Sequence, residues 1–131
     1  MRLPSTTQEA RASARALASA RVALGVTAFA LPRLPARPWV GADAARPSIK
    51  VMSRALGARD VALGLGALLA LRGDGPVRGW LEAGGLADAG DVAATILAWR
   101  NGPRFGRWLV LAAATGGVVG SVLLAPLVDQ D

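Results

Sequence analysis

The stretch RALGARDVALGLGALLAL (residues 54–71) is the main guide to the expected fold, because it is long and apolar enough for a membrane-spanning helix and yet contains charged residues. It is mostly alanine, leucine and glycine, but Arg59 and Asp60 lie about 8 and 9 Å inside it at a rise of about 1.5 Å per residue. A charge at the bilayer centre costs roughly 2.5 to 3.5 kcal/mol on insertion scales, so such residues face a bundle interior. The stretch therefore predicts an all-α, membrane-embedded bundle with a charged interior.

Three more stretches have similar length and apolar character, at residues 16–31, 80–99 and 108–128. The last has no charged residue and reaches the roughly 20 residues that a membrane helix requires. Short connections follow the second and third spans, which predicts a single domain folded as an up-and-down four-helix bundle. Residues 1–15 are expected to form a polar N-terminal segment and residues 129–131 a short acidic tail.

The composition narrows the classes of function. Hydrophobic residues make up 53% of the chain, and its arginines are spread over loops and helix ends, which indicates a lipid bilayer as partner and not nucleic acid. Cysteine, histidine and tyrosine are absent, so thiol chemistry, metal sites of the Cys/His type and imidazole catalysis are excluded. We expect no metal and no cofactor. A soluble or peripheral helical protein with one anchoring helix is the alternative to four spans.

Helix-end signals place the elements more closely. Ser5 or Thr6 with Glu9 predicts an N-terminal capping box, and the prolines from Pro32 onward end the first span. Residues 32–53 are expected to form an irregular loop with a short interfacial helix. Tryptophans at the predicted interfaces fit an aromatic belt; they are Trp39, Trp80, Trp99 and Trp108.

Six ionisable residues fall inside the predicted spans, and they are Arg21, Arg54, Arg59, Asp60, Asp88 and Asp91. Asp88, Asp91 and Thr95 share one face of the third span and must point toward protein or water. The depths predict that Arg59 pairs with Asp91 or Asp88 and that Asp60 pairs with Arg21. Arg54, at a span end, is expected to extend toward the interface.

Two functions are consistent with these charges. In the first, the six charged residues and Thr95 fix the bundle and line a polar binding site. In the alternative, the chain is a small membrane enzyme or proton-coupled carrier in which Asp60, Asp88 or Asp91 is the catalytic or proton-binding group. The aspartate motif of membrane phosphatidyltransferases is not completed after Asp91, so that class does not fit.

Small residues predict close helix contacts. Gly57 and Gly64 lie on the second span, and Gly116 with Gly120 forms a GxxxG pair on the fourth. Such faces pack either within a bundle or between protomers, so Gly116 and Gly120 are candidates for contact with a second copy or a membrane partner.

The tetrapeptide GARD (residues 57–60), followed by LADAGDVAATILAW (residues 86–99), resembles a group of small four-span actinobacterial membrane proteins catalogued as a domain of unknown function. Their layout is similar to that of the DoxX-like proteins. The resemblance implies a multi-pass protein of the bacterial plasma membrane, but it brings no settled activity. Which face is cytoplasmic is left open, because the arginine counts on the two faces are similar.

Overall fold

Helices dominate the computed structural model, which describes residues 6–73, 75–100 and 103–130. These ranges contain no strand, which confirms the all-α fold class. The elements are α1 (Thr7–Ala30), α2 (Arg33–Val40), a 3-10 turn (Gly41–Ala45), α3 (Pro47–Arg72), α4 (Arg78–Leu97) and α5 (Arg104–Leu124). Parts of the predicted N-terminal segment and tail, residues 1–5 and residue 131, lie outside the described residues.

The start and end of α1 follow from its capping residues. The Thr6 hydroxyl accepts a hydrogen bond from the backbone N–H of Glu9 at 3.2 Å, as the capping box predicts, whereas Ser5 lies outside the described residues. Because of this cap, α1 begins well before residue 16, and the polar residues 7–15 are helical. The helix ends at Ala30, just before the prolines.

The connection between α1 and α3 is helical, so the expectation of an irregular loop over residues 32–53 was wrong, whereas the short helix expected within it is present as α2. Pro35 falls in the first turn of α2 and Pro47 is the first residue of α3. Backbone N–H groups in the first turn have no acceptor within the helix, so proline, which lacks this group, is tolerated there. The segment Arg33–Ala45 is bent by 92° from α1. Arg54 consequently lies about two turns inside α3 and not at its beginning.

Glycine and alanine allow the helices to approach closely. α1 packs chiefly on α3, and α4 on α5. A Cβ atom on Gly25 would lie 2.6 Å from the Gly57 carbonyl oxygen, and one on Gly57 would lie equally close to the Gly25 oxygen, so only glycine fits at this crossing. This confirms the packing role predicted for Gly57. Large apolar side chains point outward instead, for example Leu86 and Leu97 at 76% and 87% exposure.

Length and hydropathy qualify one described helix to cross a membrane. This is α5, with a mean hydropathy of 1.6 over its best window and only 17% of that window buried. A second span results if α1 and the bent segment Arg33–Ala45 are one broken span. Every 18-residue window of α4 contains Glu82, Asp88 and Asp91, and every such window of α3 contains Arg59, Asp60 and at least one more charge. These charges keep α3 and α4 from qualifying as spans by hydropathy. The same two helices contribute Asp60, Asp88 and Asp91 to the interior.

Candidate functional site

Charged side chains from three helices meet in the middle of the molecule. We call them the Arg/Asp cluster, which consists of Arg21 from α1, Arg59 and Asp60 from α3, and Asp88 and Asp91 from α4. Their side chains are between 11% and 31% exposed. The cluster therefore brings together the inward-facing charges that the sequence predicted at similar depth.

Arg21 connects α1 to both α3 and α4. Its Nη1 donates to Asp60 Oδ1 at 3.3 Å, which confirms the predicted Asp60–Arg21 pair, and its Nη2 donates to Asp88 Oδ2. Nη2 also donates to the backbone oxygen of Gly84 at 3.3 Å. Because Gly84 has no side chain, the guanidinium lies directly against α4. Asp88 is thus bound to Arg21 and not to Arg59.

Arg59 forms the second half of the cluster. Its Nη1 and Nη2 donate to the two oxygens of Asp91 at 3.2 and 2.8 Å, a bidentate pair that selects Asp91 from the two predicted partners, Asp91 and Asp88. Its Nε and Nη2 also donate to Asp60 Oδ1 at 3.2 and 3.1 Å. Asp60 therefore bridges the two arginines. The cluster has three carboxylates facing two guanidinium groups.

Arg54 and Thr95, the other predicted site residues, lie apart from these ion pairs. Arg54 is exposed, and its Nε donates to the backbone oxygen of Phe29 at 3.2 Å. Thr95 is buried; its hydroxyl accepts a hydrogen bond from Trp39 Nε1 at 2.9 Å and donates to the Asp91 carbonyl at 2.7 Å. Thr95 thus attaches α2 to α4 beside the cluster.

A cavity of about 290 Å³ lies beneath α2, and we call it the α2 cavity. Arg59, Asp60 and Asp91 line one side of it. Most of its remaining wall is apolar, with contributions that include Leu24, Pro35, Trp39, Ile49, Met52 and Leu56. The sequence prediction missed this cavity because it treated the covering segment as a loop. Trp39 and Val40, apolar residues in a basic and proline-rich segment, were the available signal.

One side of the cluster is covered by α5, and the other side faces the α2 cavity. Asp88 is 8% exposed and lies against Gly117 of α5, where a Cβ atom would collide with its carboxylate. Asp91, on the opposite side, faces the α2 cavity. Within the described residues no three acidic side chains converge in a way that could hold a metal ion. The accessible chemistry of the cluster is therefore that of Arg59, Asp60 and Asp91 toward the cavity.

Comparison of the chain with protein-family models, with curated proteins and with solved structures gave no match. The function of the cluster is therefore inferred from its own geometry and chemistry.

Proposed function

We propose that this chain is a small multi-pass protein of the bacterial plasma membrane, in which the Arg/Asp cluster joins three helices and forms the polar wall of a binding site for a small, largely apolar molecule. One observation carries the proposal: Arg59, Asp60 and Asp91 line a cavity whose other walls are mostly apolar. Binding pockets for small molecules combine apolar walls with a few placed polar groups in this way. The resemblance to four-span, DoxX-like proteins agrees with the proposed layout.

The distribution of side chains supports a membrane location. The buried hydrophobic residues are mostly alanine, while many of the large apolar side chains, from every long helix, are exposed. In water such a surface would favour association, whereas in lipid it is solvated and the helical backbone groups are satisfied internally. We propose that α3 and α4 cross the bilayer together with α1 and α5, because their central charges point into the cluster and not toward lipid.

Cysteine labelling tests the proposed membrane location, since the chain has no cysteine of its own. Leu65→Cys and Leu86→Cys place a thiol at exposed positions of α3 and α4, and Ala42→Cys places one in the 3-10 turn as control. The protein is placed in lipid vesicles, and a pore-forming toxin lets a membrane-impermeant maleimide reach both faces of the membrane. We expect this reagent to label Ala42→Cys rapidly and the other two variants slowly. Equal labelling of all three variants would show that α3 and α4 lie outside the bilayer.

The charge of the cluster indicates the kind of ligand. Two carboxylates and one guanidinium group face the cavity, which favours a ligand whose polar end is an ammonium or a hydroxyl group over one that ends in a carboxylate. Naphthylmethylamine, naphthylmethanol and naphthoic acid share one ring system and differ in this group. Equilibrium dialysis against the purified protein in detergent should rank their affinities in that order, and tightest binding of the acid would contradict the proposal.

A cavity-filling substitution localises this binding. Ala36 is buried and lines the α2 cavity, so Ala36→Phe should lower the affinity for the amine at least about tenfold, or about 1.4 kcal/mol. Ala113→Phe adds the same ring at an exposed position of α5 and is expected to leave binding unchanged. If both variants bind like the wild type, the probe occupies another part of the molecule.

The second candidate function is a small membrane enzyme or a proton-coupled carrier. The cluster has one carboxylate more than it has guanidinium groups, which favours this second candidate. If one of Asp60, Asp88 and Asp91 is protonated, each arginine still has an ionised carboxylate as its partner. Infrared difference spectra on probe binding separate the two functions. A change in the C=O stretch of a protonated carboxyl that disappears in Asp88→Asn or Asp91→Asn supports proton coupling, and its absence supports a binding protein.

A further inference from the structure

A second concave region lies outside the α2 cavity, where the end of α1 meets α2 and the first turns of α3. It has a volume of about 530 Å³, and half of its lining residues are basic: Arg33, Arg37, Lys50 and Arg54. The other half is apolar and includes Leu31 and Leu34. We call this region the basic groove. None of its lining residues belongs to the Arg/Asp cluster.

The four cations of the basic groove are uncompensated. Within the described residues none of them forms an ion pair, and no carboxylate lines the groove. Two other surface arginines do have acidic partners: Arg46 pairs with Asp43, and Arg78 pairs with Glu82. Four positive charges around one concavity repel each other, so an anion bound among them is electrostatically favoured.

The surroundings of the groove indicate a lipid as the source of that anion. Leu31 and Leu34 in the groove and Val51 beside it are between 60% and 64% exposed, so apolar surface adjoins the cations. A free phosphate ion makes no favourable contact with this apolar surface, whereas the acyl chains of a lipid would cover it. The segment Arg33–Ala45 turns by 92° from α1, so an α1 that crosses the membrane along its normal would place this segment in the membrane plane, where amphipathic segments meet the headgroups.

We infer that the basic groove binds the headgroup of an anionic phospholipid, with the acyl chains lying along the exposed apolar residues of α1 and α3. Basic pockets between membrane helices bind anionic headgroups through the same combination of charge and position. This inference rests on the proposed membrane location. It is independent of what occupies the α2 cavity.

The experiment compares lipid binding by two variants with equal net charge. In the groove variant, Arg33, Arg37 and Lys50 are replaced by Gln; Arg54 is kept because its Nε holds the Phe29 carbonyl. The control variant carries Arg72→Gln, Arg100→Gln and Arg104→Gln, which remove three exposed arginines outside the groove. Delipidated protein in a neutral detergent is titrated with phosphatidylglycerol or phosphatidylcholine, and bound lipid is counted by native mass spectrometry.

We expect the wild type to prefer phosphatidylglycerol, the groove variant to bind it at least about tenfold more weakly, and the control to change less than about twofold. Excess inorganic phosphate should not displace the lipid. Equal binding of the two lipids by the wild type, or equal losses in both variants, would overturn the inference. Complete displacement by phosphate would overturn the lipid source. The cysteine-labelling experiment tests the membrane location separately, so the two failures can be told apart.

Discussion

The two ends of the bundle are built in different ways. At one end, where α1 starts and α5 finishes, apolar side chains form a packed cluster that includes Ala10, Leu71, Val77 and Val128. The Asp129 carboxylate accepts hydrogen bonds from the backbone N–H groups of Val77 and Arg78 at 3.1 and 2.8 Å, and so caps the start of α4. We call this the closed end.

The open end, on the other side of the Arg/Asp cluster, contains the α2 cavity and the basic groove. Its cover, α2, is attached to α4 by the hydrogen bond between Trp39 and Thr95 at 2.9 Å. The two ends therefore differ in how their charges are paired and how their side chains are packed. Packed side chains and a helix cap stabilise the closed end, the cluster ties three helices together in the middle, and the open end has the α2 cavity and the unpaired basic charges of the groove.

The largest effect is expected from Arg21→Met, which removes the guanidinium shared by Asp60 and Asp88. The change leaves the buried Asp88 without its ion-pair partner and Asp60 with Arg59 alone, so the free energy of unfolding should fall by about 3 to 5 kcal/mol. Denaturant titration in detergent, followed by circular dichroism, measures it. Arg15→Met, at an exposed position of the same helix, is the control and should change stability by less than about 0.5 kcal/mol. Similar values for both variants would mean that the cluster does not hold the two ends together.

A double-mutant cycle of Arg59→Ala and Asp91→Ala tests the part of the cluster that faces the open end. The bidentate contact, with its shorter distance of 2.8 Å, predicts a coupling energy of about 1 to 3 kcal/mol in the same titration. The double variant should therefore be more stable than the sum of the single losses implies. A coupling energy near zero would show that the contact between Arg59 and Asp91 does not stabilise the bundle.

How far the sequence predicted this organisation depends on the range of the interactions. Depth and helical phase gave the Arg21–Asp60 pair and limited the partner of Arg59 to Asp91 or Asp88, since both are fixed by the geometry of a single helix. The assignment of Asp88 was left between alternatives, because it depends on how closely α1 approaches Gly84, a tertiary distance that no periodicity encodes.

The open end was the part that the sequence did not reveal. Arg33, Arg37 and Lys50 read as scattered loop charges until α2 and the start of α3 bring them around one groove. Arg54 was expected at a helix end, but α3 begins at Pro47, because a proline in the first turn is compatible with a helix. Hydropathy alone could not place the start of α3 at Pro47, since residues 47–53 are too polar to count as part of a span.

The same substitution at the two ends should have unequal effects. Asp129→Ala removes the cap of α4 at the closed end and should lower the free energy of unfolding by about 1 kcal/mol, a typical value for a lost helix cap. Asp43→Ala, at the open end, breaks an ion pair with Arg46 in which both side chains are more than half exposed, and less than about 0.5 kcal/mol is expected. Thermal unfolding of both variants in one detergent gives the comparison, and the reverse order would contradict the assignment of a stabilising closed end.

The smallest effect concerns the outer face of α5, where the sequence suggested a contact through Gly116. A Cβ atom on Gly116 meets no atom within 4 Å, and the same is true of Gly90 on α4. Alanine at either position should raise the free energy of unfolding by about 0.5 to 1 kcal/mol, because glycine is a poor helix former and the new methyl group meets open space. The two variants are compared by denaturant titration and by size-exclusion chromatography with light scattering. If Gly116→Ala lowers stability or reduces an oligomer while Gly90→Ala does not, a second copy or another membrane partner packs against α5 at that glycine.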